Sequence, residues 1–412
     1  MLKGNLVFGQ SGGPTAVINS SAAGLLSSAL ASPAIEEVYA AEHGIVGILN
    51  DRLFDIRQED PEELKLLTQT PSSIFGSCRH KLADFDEDDS DYYRILEIFK
   101  KHNIRYFFYN GGNDTMDTCH KISQFMQRED YECRVVGIPK TIDNDLCGTD
   151  HCPGFGSAAK YVATSFMEVK LDSQVYNYPQ IIIVEVMGRH AGWLAAASVL
   201  AAHKGAGPDL IYLPERAFTL EQFERDVRAV YEEKGDVMVC VSEGCHDENG
   251  RFIPEMFADN NLQTDAFGHK QLGGAADMLA SFVKDKFGVK VRAIEFSLLQ
   301  RCAAHIASPI DVKEAYAAGE TALEYALEGH SDFMIGFERV SDDPYEIKMI
   351  RVPLEACANL EKTLPDEWIN DAGNFVLQPF IDYSLPLIQG ATERSEEDGL
   401  PHFAELKKVL VD

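Results

Sequence analysis

The chain has 412 residues, 45% of them hydrophobic, and carries 37 basic against 66 acidic side chains for a net charge of −29. That balance argues against nucleic acid, because a binding face needs a basic stripe to neutralise phosphates, and no stretch has the apolar length of a membrane span. The length predicts two or three domains with substantial cores. The nine cysteines include no Cys-x-x-Cys pair and read as reduced, mostly buried thiols of a cytoplasmic protein.

In chain order, Met1-Leu2-Lys3-Gly4-Asn5 has no long apolar region behind it, so no leader is expected. A first predicted strand, Asn5–Phe8, runs into Gly9-Gln10-Ser11-Gly12-Gly13-Pro14-Thr15 and then a helix of small residues. Glycines there let backbone N–H groups approach an anion, and the helix that follows presents its positive end. After Gly76-Ser77-Cys78-Arg79, the acidic run Asp84–Asp91 reads as first-turn acids for the periodic segment Tyr92–Phe99 rather than a metal site. The strand Ile104–Tyr109 opens into Asn110-Gly111-Gly112-Asn113-Asp114-Thr115, and Val135–Ile138 opens into Pro139-Lys140-Thr141-Ile142-Asp143-Asn144-Asp145. Gly154–Ala159 carries glycines at dinucleotide-binding spacing, but no strand precedes it.

Ile181–Val186 leads into Met187-Gly188-Arg189-His190-Ala191-Gly192-Trp193, where His190 suits substrate contact or packing and Trp193 should pack its helix on the sheet. Further strands are predicted at Leu210–Leu213 and Val237–Val241. The tail holds a polar loop, Gln389–Pro401, and an amphipathic piece, His402–Val411, able to pack on its own subunit or on a partner. Alternating strands and helices predict an α/β fold of parallel sheets covered on both faces. The Gly-Lys-Ser/Thr signature of P-loop nucleotide binding is absent.

The loop Pro139–Asp145 concentrates the chemistry. Proline ends the strand, so Lys140 through Asp145 should lie at a strand's carboxyl end, where open α/β sheets bind ligands. Asp143 can accept a proton from a hydroxyl while Lys140 holds a phosphoryl donor. Thr, Asn and Asp are also ordinary turn residues that bond their own backbone. Four strand–glycine-loop units in succession favour the chemical reading.

On these motifs the chain resembles the phosphofructokinase family over roughly residues 4 to 305. The resemblance implies two Rossmann-like three-layer αβα domains with mainly parallel sheets and the active site in the cleft between them. Residues 1–154, with about 300–335, would bind diphosphate; 155–299, with a C-terminal extension of about 336–412, would bind the sugar phosphate. It implies reversible, Mg²⁺-assisted phosphoryl transfer to the 1-hydroxyl of fructose 6-phosphate, in a homodimer or homotetramer. ATP-dependent members resemble Gly-Gly-Asp-Gly at the second loop with glycine at the Lys140 position. Diphosphate-dependent members look like this chain, with Asp114 and Lys140. An acid there would repel a nucleotide's α-phosphate by about 4 kcal/mol at 4 Å and an effective dielectric of 20, roughly a thousandfold.

Carried over by resemblance, Asp143 is the base and Asp145 orients it or helps organise the metal. Gly12, Gly13, Arg79, Asp114 and Lys140 hold diphosphate. Thr141, Ile142, Met187, Gly188, Arg189 and Glu243 line the sugar pocket, and Arg292 and Arg301 bind the 6-phosphate, as the planar fork of arginine suits. Asn113 stands at the family's magnesium-binding aspartate. Gln180 replaces an arginine that many members offer from a neighbouring subunit, and Leu298 replaces a histidine. Those two changes leave the 6-phosphate underfilled, so a cation from the C-terminal part is expected to complete it. An ATP-dependent enzyme and a non-catalytic regulatory subunit are the alternatives.

Overall fold

A computed structural model describes residues 2–257 and 274–411. In chain order the strands that position the site are β1 (Gly4–Gln10), β2 (Ile35–Ala41), β3 (Leu53–Asp55), β4 (Ile104–Gly111), β5 (Arg134–Pro139), β6 (Gln180–Val186), β7 (Leu210–Tyr212), β8 (Val237–Ser242), β9 (Lys290–Glu295), β10 (Phe333–Asp342) and β11 (Tyr345–Pro353). They form a seven-stranded sheet of order β11-β10-β5-β4-β1-β2-β3 and a four-stranded sheet of order β7-β8-β6-β9. The second sheet is parallel throughout; in the first, only β3 and β11 run against their neighbours.

Both sheets are covered on two faces, as the apolar runs in their strands require. Successive side chains point to opposite faces of a strand. In β4, Tyr106 and Phe108 enter one core while Phe107 and Tyr109 enter the core on the other side. In β6, Ile181 and Ile183 face one cluster, and Ile182, Val184 and Val186 the other. Among the described residues no helix is long and apolar enough to cross a membrane.

The chain passes to the second sheet through the helix Phe155–Ser173 and returns through Pro309–Leu327, which packs on the helix Ile18–Ala31. Two glycines allow that crossing. A Cβ on Gly24 would collide with the Tyr316 carbonyl, and one on Gly319 with the Ser21 carbonyl. Gly24→Ala should therefore cost about 1–3 kcal/mol through overpacking, read as a lower midpoint of urea unfolding with the native far-UV spectrum retained at low denaturant.

The C-terminal part departs from the expected division. β10 pairs with β5 at Phe333–Val136 and Met334–Gly137, and β11 continues the sheet as its hairpin partner. Residues 336–353 thus extend the first sheet instead of joining the second unit as expected. Farther on, Trp368, Phe380, Ile381 and Leu387 join the core of the second sheet. The last residues then return: the Asp55 amide donates to the Val409 carbonyl at 2.8 Å and the Val411 amide to the Leu53 carbonyl at 2.9 Å. The piece expected to be amphipathic is extended and pairs with β3 of its own chain.

Trp193 packs its helix on the core of the second sheet, as expected, and reaches farther. Its ring meets Phe155, Trp368, Phe380 and Tyr383, so it ties its helix to the C-terminal part as well as to the second core. The acidic run behaves as expected in part: the helix is Ser90–Lys101, with Asp91 in its first turn.

Candidate active site

β2 and β4 flank β1 on opposite sides, so the connections leaving β1 and β4 diverge. Such a switch point opens a crevice at the carboxyl ends of the strands. The cleft there has a volume of about 400 Å³. The first sheet lines it with Gly12 and Gly13 after β1, Arg79, then Asn113 and Asp114 after β4. Lys140, Thr141, Ile142, Asp143 and Asp145 follow from β5. The second sheet adds Met187 and Arg189 after β6, Glu243 after β8, and Arg301 from the short helix Leu299–Cys302.

Two expected residues do not line it. Gly188 lies directly behind: its carbonyl accepts from Ser242 Oγ at 2.6 Å and its amide approaches Glu243 Oε1 at 3.4 Å. Its φ of +135° suits glycine, and a Cβ would run into the Ala191 carbonyl. Arg292 is exposed on β9, an edge strand, and does not turn into the cleft of its own chain. Gln180 is buried, with its side-chain amide donating to the Ser173 carbonyl, and Leu298 is exposed.

The loop after β5 is fastened so that its charges stay inside. Asn144 adopts φ +55°, a left-handed conformation that asparagine tolerates. Its side chain donates to Tyr383 Oη at 2.9 Å and accepts from the Cys152 amide at 2.9 Å. Between Asp143 and Asp145, this anchor fixes where both carboxylates point. Lys140 Nζ donates to the Gly13 carbonyl at 2.6 Å, which joins the β5 loop to the glycine turn after β1.

Crowding of charge sets the protonation of this cluster. Burial pushes the Asp143 carboxyl up to about 7, with Asp145 and Glu243 adding to the shift and Lys140 and Arg189 opposing it. Burial likewise pushes the Lys140 ammonium down to about 8, against the pull of Asp143 and Asp145 and with the repulsion of Arg301 and Arg79. Asp145 and Glu243 are raised, chiefly by burial. A base must be ionised and an anion-holding lysine protonated. If Asp143 and Lys140 fill those two roles, kcat/KM toward a hydroxyl acceptor rises through about pH 7 and falls above about pH 8. A pH–rate profile flat from 6 to 9 would remove these two groups as its controlling pair.

One amide is set for a hard cation. Asn113 Nδ2 donates to Asp145 Oδ2 at 3.1 Å, while Asn113 Oδ1 is buried without a hydrogen-bond partner among the described residues. A buried oxygen without a donor is costly, and beside a carboxylate it matches the oxygen ligands that magnesium prefers. Among the described residues no group of three or more His, Cys, Asp or Glu could hold a metal. A cation here would lean on these two oxygens, water and ligand oxygens.

Sequence reasoning missed one wall. Asn359 and Glu361 line the cleft from the C-terminal part. Asn359 Nδ2 donates to Asp117 Oδ1 at 2.8 Å, the Lys362 amide to the Asp145 carbonyl at 2.7 Å, and Trp193 Nε1 to the Lys362 carbonyl at 2.9 Å. His190 Nδ1 lies 3.8 Å from Glu361 Oε2. Among the described residues the C-terminal part puts no lysine or arginine on the cleft wall, against the expected cation; Lys362 Nζ donates to the carbonyls of Thr149 and Asp150 at 3.0 and 2.7 Å. The segment therefore delivers an amide and an acid to the cleft and uses its lysine to brace the loop after β5. No glycine turn or apolar strand marks Asn359-Leu360-Glu361-Lys362 in sequence.

The phosphofructokinase family model matches residues 5–295. The chain belongs to the phosphofructokinase family. This phosphofructokinase is 45% identical to the pyrophosphate–fructose 6-phosphate 1-phosphotransferase of Xanthomonas campestris pv. campestris (strain B100), over 100% of this chain and 98% of the relative. It is 43% identical to the enzyme of the same name from Halomonas elongata, again over 100% of this chain and 98% of the relative. Its fold matches the crystal structure of the pyrophosphate-dependent phosphofructokinase from Marinobacter aquaeolei with a TM-score of 0.89, at 41% identity, covering 99% of this chain and 97% of that one.

Proposed function

We propose that this phosphofructokinase transfers a phosphoryl group reversibly from diphosphate to the 1-hydroxyl of fructose 6-phosphate, giving fructose 1,6-bisphosphate and phosphate. The observation that carries the donor is the Lys140 ammonium bonded to the Gly13 carbonyl at 2.6 Å. It puts a buried positive charge at the glycine turn, where a donor without a nucleoside must be held by its phosphates alone. The relatives named above for the same reaction support this reading across the full chain.

Gly12, Gly13, Lys140 and Arg79 hold the diphosphate, and Thr141, Ile142, Met187, Gly188, Arg189 and Glu243 surround the sugar. Asp143 takes the proton of the 1-hydroxyl as its oxygen attacks phosphorus; a carboxylate with a pKa of about 7 is poised for that transfer near neutral pH. In the reverse direction the same acid returns the proton. Because the donor is already activated, positioning and charge supply the catalysis. Asn113 Oδ1 and Asp145 would hold Mg²⁺, which when bound offsets the negative charge of diphosphate. The chain's overall −29 charge is answered locally by the cleft's cations, so added salt should weaken substrate binding.

A second copy of the chain is part of this reading. Arg292 stands exposed on β9, and Leu171, Val175, Leu298 and Leu299 are exposed on the elements beside that strand. An isologous contact there would cover them and offer Arg292 to the partner's sugar phosphate. The primary test is an assay of purified protein with diphosphate and with ATP at equal concentration and Mg²⁺ present. Diphosphate should be the donor; a large preference for ATP would reject the donor assignment, and inactivity with both would favour the regulatory-subunit alternative.

A further inference from the structure

We infer that Tyr383, from the C-terminal part, is a positioning residue for the transfer: its hydroxyl holds Asn144, and through Asn144 it sets where the Asp143 carboxylate points. The inference rests on the reading of Asp143 as the base and deepens it.

Asn144 lies between Asp143 and Asp145 and is fully buried. A buried amide must find partners for both its oxygen and its nitrogen. Asn144 Oδ1 accepts from the Cys152 amide at 2.9 Å, a bond within the same loop, whereas Nδ2 donates to Tyr383 Oη at 2.9 Å. Tyr383 Oη in turn donates to the Asp150 carbonyl at 2.8 Å. One hydroxyl thus accepts from one point of the loop after β5 and donates to another, as a strut between them. The Asp150 carbonyl also accepts from Lys362 Nζ at 2.7 Å. Without the hydroxyl that carbonyl keeps a donor, and the loss falls on Asn144 Nδ2.

The strut is itself held. Tyr383 belongs to the helix Gln378–Ser384, and its ring centroid lies 5.5 Å from those of Trp193 and Trp368 and 6.3 Å from that of Phe380. The Arg339 guanidinium, from β10, lies 4.6 Å from the same ring. Its Nη1 donates to the Tyr383 carbonyl at 2.9 Å and its Nη2 to Asp150 Oδ1 at 2.8 Å. That carboxylate oxygen is also 2.8 Å from His151 Nδ1, and His151 Nε2 is 2.7 Å from Glu314 Oε2. Arg339 therefore grips both residues of the Tyr383–Asp150 bond. A hydroxyl so fixed does not follow Asn144; Asn144 follows it. Tyr383 is not among the residues that line the cleft, yet a small misplacement of a base relative to its reacting hydroxyl is costly.

The test is a double-mutant cycle in steady-state kinetics on the full chain, with diphosphate, fructose 6-phosphate and Mg²⁺. Tyr383→Phe removes one oxygen and keeps the ring, and should lower kcat about 10- to 100-fold with both KM values within about threefold of wild type. Asn144→Gly, which keeps the left-handed backbone, should lower kcat at least as far. Adding Tyr383→Phe to it should change kcat by less than about twofold, because both substitutions cut one bond. Phe380→Leu loosens the same aromatic group without touching the loop; it should lower the melting temperature and keep kcat within about twofold of wild type. Arg339→Lys keeps the hydroxyl and loses the fork that holds it. It should lower kcat by a smaller factor, and it serves if the phenylalanine variant does not fold. A kcat within about twofold of wild type in Tyr383→Phe, losses that multiply in the double variant, or an equal loss in Phe380→Leu would overturn the inference. If wild type uses ATP in place of diphosphate, the donor reading fails, and the same ratios are read with ATP. A wild type inactive with both donors overturns the base assignment and this inference together, before any variant is compared.

Discussion

Asp143→Asn should lower kcat by about 10²–10⁴-fold in both directions, the usual worth of a positioned base, with diphosphate binding preserved. The amide keeps the shape of the carboxyl but cannot take the hydroxyl proton. Near-normal turnover would remove Asp143 from that role. The same variant carries a second expectation with the opposite sign. The carboxyl titrates at about 7 in the folded chain against a usual 3.8, so the unfolded state holds its proton less tightly than the folded one. Its charge opposes folding fully above pH 7, and the penalty fades as the pH falls toward the unfolded value. The asparagine variant should accordingly melt at or above the wild-type temperature at pH 8 and lose that margin near pH 4. An inactive protein that is also less stable at pH 8 would mean that Asp143 is a structural carboxylate.

Lys140→Gly should weaken diphosphate binding by about 2–5 kcal/mol, roughly 30- to 5,000-fold. Removing the ammonium leaves Asp143 and Asp145 facing each other with less positive charge between them, so the acid limb of the pH profile should also move upward. The structure changes the weight given to Asp114. That side chain is exposed in the first turn of the helix Asn113–Arg128. A repulsion of about 4 kcal/mol at a dielectric of 20 shrinks to about 1 kcal/mol in water, so Asp114→Gly alone should admit ATP only a few-fold better. Joined to Lys140→Gly, which clears the buried cation from the glycine turn, it should raise kcat/KM for ATP clearly above wild type. Unchanged ATP kinetics in the double variant would place donor selection elsewhere in the cleft, with Asn359 and Glu361 the next residues to alter.

Much of the site was legible because its loops follow strands with unbroken apolar runs. Val135–Ile138 and Ile181–Val186 announce β5 and β6, and what comes after a buried parallel strand lies at a ligand-binding end. β2 was missed because Ile35-Glu36-Glu37-Val38 interrupts its apolar run with two acids on its exposed stretch. β10 and β11 were missed because their outer halves alternate with charged residues, as an antiparallel hairpin at a sheet edge allows. Arg292 was legible as a phosphate-binding type but not as one that faces away from its own cleft, because an edge position is a property of sheet order. Asn359 and Glu361 carried no local signal at all. Asn359 is held there by Asp117, and Glu361 by its neighbour's bond, the Lys362 amide to the Asp145 carbonyl, long-range contacts that no short motif encodes.

The C-terminal part acts as a suture. It is stitched to the loop after β5 at Lys362, laid on the second core at Phe380 and Leu387, and sewn to the rim of the first sheet at Val409. A hinge that swung the halves widely apart would have to pull out each stitch. Substrates should therefore be enclosed by short-range adjustment of side chains such as Arg301 and His190, and not by a jaw-like closure of the two halves.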